Sequence, residues 1–133
     1  MYSSYLSLLL FLTFNLLLLP CCLSGTPYSP VGLTGSTESP STIRLTWSHE
    51  TASQDRPTSY VVQYRPRAAN KWKEKVSIIR PPVSISGLKA GTTYQFKVIA
   101  KNKNDYSHPS NMIEIKTAEI GGYTRVSERL KVG

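Results

Sequence analysis

Residues 88–102 read Leu88-Lys89-Ala90-Gly91-Thr92-Thr93-Tyr94-Gln95-Phe96-Lys97-Val98-Ile99-Ala100-Lys101-Asn102, a Leu-x-x-Gly-Thr-x-Tyr turn running into an alternating stretch. A period of two puts Tyr94, Phe96, Val98 and Ala100 on one face of a strand. The turn has the residue pattern of a tyrosine corner, in which a tyrosine at the start of a sandwich strand buries its ring and turns its hydroxyl back to the upstream backbone. This confines the chain to an all-β sandwich, an architecture that presents surfaces and offers no obvious cavity for chemistry.

The flanking sequence supplies the other strands. Val31-Gly32-Leu33-Thr34 is a short first strand bounded by Pro30, and Thr42–Trp47 alternates strictly, with Ile43, Leu45 and Trp47 inward. The polar residues 48–58, which include Pro57, read as a loop between sheets. In Tyr60–Arg65 the economical registration buries Tyr60, Val62 and Tyr64, packs the tyrosines beside Trp47, and turns Val61, Gln63 and Arg65 outward. Pro66 ends that strand. Lys71–Val76 is an alternating edge strand whose lysines share one face and discourage pairing with another molecule. After Pro81 and Pro82, Val83–Leu88 returns to the core through Val83, Ile85 and Leu88, and Ile113–Thr117 forms the last strand. The pattern predicts a seven-stranded antiparallel β-sandwich of immunoglobulin-like type.

Of 133 residues, the first 25 differ from the rest. Leu6–Leu19 is almost wholly apolar and uncharged, and fourteen residues fit a signal-peptide h-region better than the roughly 20 needed to span a bilayer. Pro20 stops this segment, and Cys22-Leu23-Ser24 gives the small residues a peptidase needs, so residues 1–24 are read as a signal peptide. Met1–Tyr5 has no Lys or Arg, which leaves an uncleaved anchor as the alternative. Both cysteines, Cys21 and Cys22, fall in this segment, so the mature domain has no thiol and no disulfide framework. Residues 27–118 form the domain. Residues 119–133, with Gly121-Gly122 and a mixed-charge run, read either as a flexible tail or as the start of a further module. No spanning or glycolipid anchor is expected at this end.

Trp47, Tyr60-x-Val62-x-Tyr64, Trp72, Leu88-x-x-Gly91-Thr92-x-Tyr94 and Ala100-x-Asn102 together resemble a fibronectin type III module. Tyr60–Arg67 and Phe96–Asn102 are most similar to the modules of leukocyte-common-antigen-related receptor tyrosine phosphatases and neural adhesion receptors. The resemblance implies an extracellular, non-catalytic module of adhesion or recognition, either a small secreted protein or a piece of a receptor ectodomain.

The inventory of reactive groups points the same way. His49 and His108, with no cysteine beside them, make a poor zinc set and read as loop histidines. Glu50 and Asp55 share one loop and read as solvated acids. Gly-rich phosphate loops, serine elbows and HExxH helices are absent from the sequence, so neither an enzyme nor a cofactor is expected. Nor does it contain Arg-Gly-Asp, a Trp-Ser-x-Trp-Ser box or an Asn-x-Ser/Thr sequon. Trp47, Tyr60, Tyr64, Tyr94 and Phe96 all fall on inward positions and read as core, whereas Trp72 is read either as packing or as an exposed contact.

Charge is the feature with functional content. All 16 Lys and Arg and all 8 Asp and Glu follow residue 25, giving the domain and tail a formal charge of +8. Arg65, Arg67, Lys71, Lys73, Lys75 and Arg80 crowd one region against the lone Glu74, while Lys97, Lys101 and Lys116 join Arg65 on one sheet. The expected partner-binding stripe is therefore Arg65, Arg67, Lys71, Lys73, Lys75, Lys97, Lys101 and Lys116. Outside the cell such a field meets sulfated glycans, anionic lipid head groups or acidic protein faces rather than nucleic acid, and the expected partner is an extracellular protein or a sulfated glycan. The competing reading is a passive spacer whose charges only solvate it.

Overall fold

The computed structural model describes residues 25–50, 56–103 and 105–121. The expected signal segment 1–24, Asp55 and the tail from 122 lie outside the described residues. Seven strands run among those residues: β1 (Val31–Ser39), β2 (Thr42–Ser48), β3 (Ser59–Pro66), β4 (Lys73–Ile78), β5 (Val83–Ile85), β6 (Thr93–Lys101) and β7 (Ile113–Lys116). They form two antiparallel sheets, β1-β2-β5 and β4-β3-β6-β7.

Alternation in β2 and β6 does the central work. Ile43, Leu45 and Trp47 face Tyr94, Phe96, Val98 and Ala100 across the sandwich, and all seven are buried. Leu33, Val62, Ile85 and Leu88 complete that layer, each large side chain contributing roughly 1.5–3 kcal/mol on burial. Trp47 meets Tyr60 edge-on with ring centroids 5.2 Å apart. Tyr64 packs elsewhere than expected, stacking on Phe96 at 6.2 Å and staying half-buried, because it lies nearer the opposite end of β3.

The corner closes as its sequence requires. The backbone N–H of Lys89 donates to the Tyr94 hydroxyl at 2.9 Å, and Gly91 takes the left-handed φ of 58° that lets the turn bend. A second clasp, not foreseen, comes from Thr117. Its hydroxyl donates to the Lys89 carbonyl at 2.7 Å and accepts from the Thr92 N–H at 3.0 Å. With 2% exposure, Thr117 is as buried as an aliphatic core residue.

Three elements depart from expectation by more than a residue at one end. β1 continues to Ser39 rather than stopping at Thr34, because Gly35–Ser39 pairs with β2 through backbone bonds that need no apolar side chains. Gly35 permits this course: a Cβ there would lie 2.6 Å from Ile115 Cδ1 and 2.8 Å from Leu45 Cδ2. β1 then reaches the β7 edge, where Thr37 Oγ1 donates to the Lys116 carbonyl and the Asn111 amide bonds both Leu33 N and Leu33 O. β4 begins at Lys73 and ends at Ile78, displaced from the expected 71–76. β5 stops at Ile85, and Leu88 enters the core from the turn beyond it.

The displacement of β4 follows from a bulge. Tyr60 pairs with Ile78 but Val62 pairs with Lys75, so Val76 and Ser77 together oppose Val61, with Ser77 at φ 61°. The extra residue turns Ile78 into the core and leaves Val76 59% exposed.

Candidate functional site

The pairing of β4, β3, β6 and β7 fixes what their outer face carries. Because directly paired residues share a face, one row is Val61 and Ile99, the next is Glu74, Gln63 and Lys97, and the next is Arg65, Gln95 and Glu114. Ser59 with Lys101, and Thr93 with Lys116, close the two ends.

Around Trp72 two cations converge. The guanidinium carbon of Arg65 lies 4.4 Å from the ring centroid and the Lys97 ammonium 4.3 Å from it, so the indole is occupied by cation–π contacts rather than sunk in the core. Arg65 is fixed further by donating from Nε to Gln95 Oε1 at 2.9 Å. Gln95 Nε2 in turn donates to Glu114 Oε1 at 2.8 Å, and Glu114 Oε2 lies 3.6 Å from Arg67. At the far end of β6 the Lys101 ammonium sits 5.2 Å from the Tyr106 ring centroid. Lys116 is paired with Glu119 at 2.9 Å, a hydrogen bond that lowers the Glu119 carboxyl below its usual range.

Lys73 and Lys75 leave this face. Lys73 pairs with Tyr64 and Lys75 with Val62, both inward residues of β3, so the two lysines project toward the core side of the edge strand. Lys75 accordingly reaches the other sheet, donating to the Ser84 carbonyl at 2.9 Å. Lys71 precedes β4 and is exposed. The eight-residue stripe is thus corrected: Arg65, Lys97, Lys101 and Lys116 share the outer face, Arg67 joins them at its margin, and Lys73 and Lys75 point away. The alternation of residues 71–76 shows which of them share a face. Which sheet face that is depends on the register with β3.

Sequence reasoning missed the apolar part of the face. Val61 points outward yet is only 6% exposed, paired with Ile99 and set opposite the bulged Val76. These side chains and Tyr106 line a groove of ≈ 400 Å³, with Gln63, Glu74 and Lys101 on its rim. The signal available was the pair Val61 and Ile99 at outward positions of β3 and β6.

His49 is not a solvated loop residue either. Its ring lies 6.0 Å from that of Tyr60, both ring nitrogens are buried without a hydrogen-bond partner among the described residues, and burial lowers its pKa against a smaller opposing effect of Glu50. His108 is exposed. No group of three or more His, Cys, Asp or Glu side chains suited to a metal occurs among the described residues, and no helix there is long and apolar enough to cross a membrane.

Two stacked sheets, a tyrosine corner and a solvent-facing outer sheet define an immunoglobulin-like β-sandwich module. The fibronectin type III domain model matches residues 28–116, and the chain belongs to that family, whose fold is non-catalytic. Human sidekick-1 is 31% identical over 101 residues, covering 72% of this chain and 4% of that protein. Zebrafish receptor-type tyrosine-protein phosphatase F is 28% identical over 94 residues, 70% of this chain and 5% of that one. A solved segment of titin superposes with a TM-score of 0.64 at 29% identity, covering 71% of this chain and 33% of that one. The chain therefore spans only a few per cent of the length of these curated relatives.

Proposed function

We propose that the chain is an extracellular recognition module that presents the outer face of its four-stranded sheet to an anionic partner, a protein surface or a sulfated glycan. The observation that carries this reading is the fixed cationic array of Arg65, Lys97 and Lys101, each held against an aromatic ring on one rigid sheet. Side chains immobilised before contact lose less entropy on binding. An extracellular setting is supported by the similarity to sidekick-1 and to a receptor-type phosphatase, and by the apolar segment Leu6–Leu19.

Two charge-matched double variants test it. Lys97→Glu/Lys101→Glu and Lys73→Glu/Lys75→Glu change net charge equally but on opposite sides of the sheet. On heparin and poly-glutamate columns the first is expected to elute at clearly lower salt than the second. Identical elution of the two variants on both matrices refutes the reading and leaves a spacer whose charge only solvates it.

A further inference from the structure

Among the described residues three pairs of basic and acidic side chains meet, Arg44 with Glu38, Arg67 with Glu114 and Lys116 with Glu119. Lys97 and Lys101 have no such partner among the described residues. Both lie on the outer face of β6, and each ammonium rests on a ring, Trp72 for one and Tyr106 for the other. Ile99 stands between them beside Val61, and the groove opens there, flanked by Val76 at 59% and Tyr106 at 56% exposure. The arrangement along β6 is cation, apolar floor, cation.

Its spacing is that of a strand. The two lysines are four positions apart on β6, about 13 Å at the rise of an extended chain. A second extended chain laid along the groove repeats its same-face side chains with the same period. We infer that the groove receives an extended protein segment with acidic, apolar and acidic side chains at successive same-face positions, i, i+2 and i+4. The apolar side chain fills the space over Val61 and Ile99, and the two carboxylates meet Lys97 and Lys101. This rests on the recognition reading above and narrows it to one class of partner.

A protein segment fits better than a sulfated glycan. A polyanion is drawn to an unbroken run of cations, but here the unpaired lysines are separated by an apolar floor. The Trp72 ring, which would otherwise stack on a sugar, already carries two cations. A second copy of this chain is disfavoured by its formal charge of +8.

The test is a titration of the isotope-labelled chain, followed by amide and methyl NMR, with a capped peptide of sequence Glu-Thr-Leu-Thr-Glu. Shifts are expected at Val61, Val76, Lys97, Ile99 and Lys101, with dissociation constants in the millimolar range usual for so short a ligand. Replacing the leucine by serine is expected to weaken binding about tenfold, from the apolar area lost. Replacing either glutamate by glutamine is expected to weaken it about threefold. Lys97→Glu/Lys101→Glu is expected to abolish the shifts; Lys97→Gln/Lys101→Gln, a milder change, weakens them if the charge reversal unfolds the domain. Absence of shifts at these residues, equal binding of the serine peptide, tighter binding of a heparin hexasaccharide at the same residues, or concentration-dependent broadening there without peptide overturns the inference. If the peptide fails while Lys97→Glu/Lys101→Glu still lowers the salt needed for elution more than Lys73→Glu/Lys75→Glu does, the recognition face stands and only this occupant is wrong.

Discussion

Removing the two hydroxyls that hold the 88–94 turn tests the packing on which the outer face depends. Tyr94→Phe deletes the acceptor of the Lys89 N–H, bonded at 2.9 Å, and leaves the ring in its buried place. An unsatisfied, part-buried N–H costs about 1–2 kcal/mol. Thr117→Val is nearly isosteric but removes the donation to Lys89 O at 2.7 Å, with its longer branch to Thr92 O at 3.3 Å, and the acceptance from Thr92 N at 3.0 Å. About 2–3 kcal/mol is expected for it, because Thr117 is 2% exposed and water cannot replace either partner. Both side chains grip the same residue, Lys89, so their effects couple. Once one clasp is lost the turn relaxes and the second is worth less, giving an interaction energy of about 0.5–1 kcal/mol in a double-mutant cycle. Urea unfolding followed by the fluorescence of Trp47 and Trp72 together measures all four corners of the cycle. For a domain of this size each kcal/mol corresponds to roughly 4–8 °C in Tm, so thermal scans give an independent check. Losses below about 0.5 kcal/mol for both single variants, or strict additivity in the double, would refute the claim that these hydroxyls jointly fix the corner.

Further outcomes follow from other parts of the fold. Gly35→Ala is expected to cost about 1–3 kcal/mol in urea unfolding, since its Cβ would lie 2.9 Å or less from Ile115, Leu45 and the Arg44 carbonyl; an unchanged midpoint contradicts the close approach of β1 to β7. His49 has its pKa lowered by burial, so the unfolded chain binds its proton at higher pH than the folded one. The stability it contributes is complete above the unfolded pKa near 6.5 and is lost as the pH falls from there through the lower folded value. Denaturation midpoints are accordingly expected to drop between pH 7.5 and 5, and His49→Gln to flatten that slope; an identical slope in the variant refutes the assignment. Trp72→Ala removes the surface on which Arg65 and Lys97 rest, with an expected loss of only about 1–2 kcal/mol in stability because the contacts are near the surface. A loss above about 4 kcal/mol would instead mark Trp72 as a core residue.

Much of this fold is legible in the sequence because β2 alternates strictly and β6 keeps an apolar residue at every inward position from Tyr94 to Ala100. Ile43, Leu45 and Trp47 on one, and Tyr94 to Ala100 on the other, can be buried together only in a two-sheet sandwich. Burial alone also places Lys97, Lys101 and Arg65 outside. What the sequence conceals is register. Lys73 and Lys75 share a face by periodicity, but the face is chosen by their pairing with Tyr64 and Val62. The bulge that re-aims the end of β4 is made by Val76 and Ser77, residues with no turn signature. β1 is hidden for a different reason: Gly35–Ser39 is a polar strand defined by backbone pairing, so no hydrophobic period betrays it. The groove escapes notice because Val61 and Ile99 look like ordinary outward residues until the bulge sets Val76 beside them.

The account depends on Lys97 and Lys101 standing on the outer face while Lys73 and Lys75 do not, and ring-current shifts read this directly. The ε-methylene protons of Lys97 should resonate well upfield of the usual lysine position, with cross-relaxation to the Trp72 ring, and should return to that position in Trp72→Ala. Upfield shifts at Lys73 or Lys75, with Lys97 unperturbed, would contradict the register and with it the recognition face.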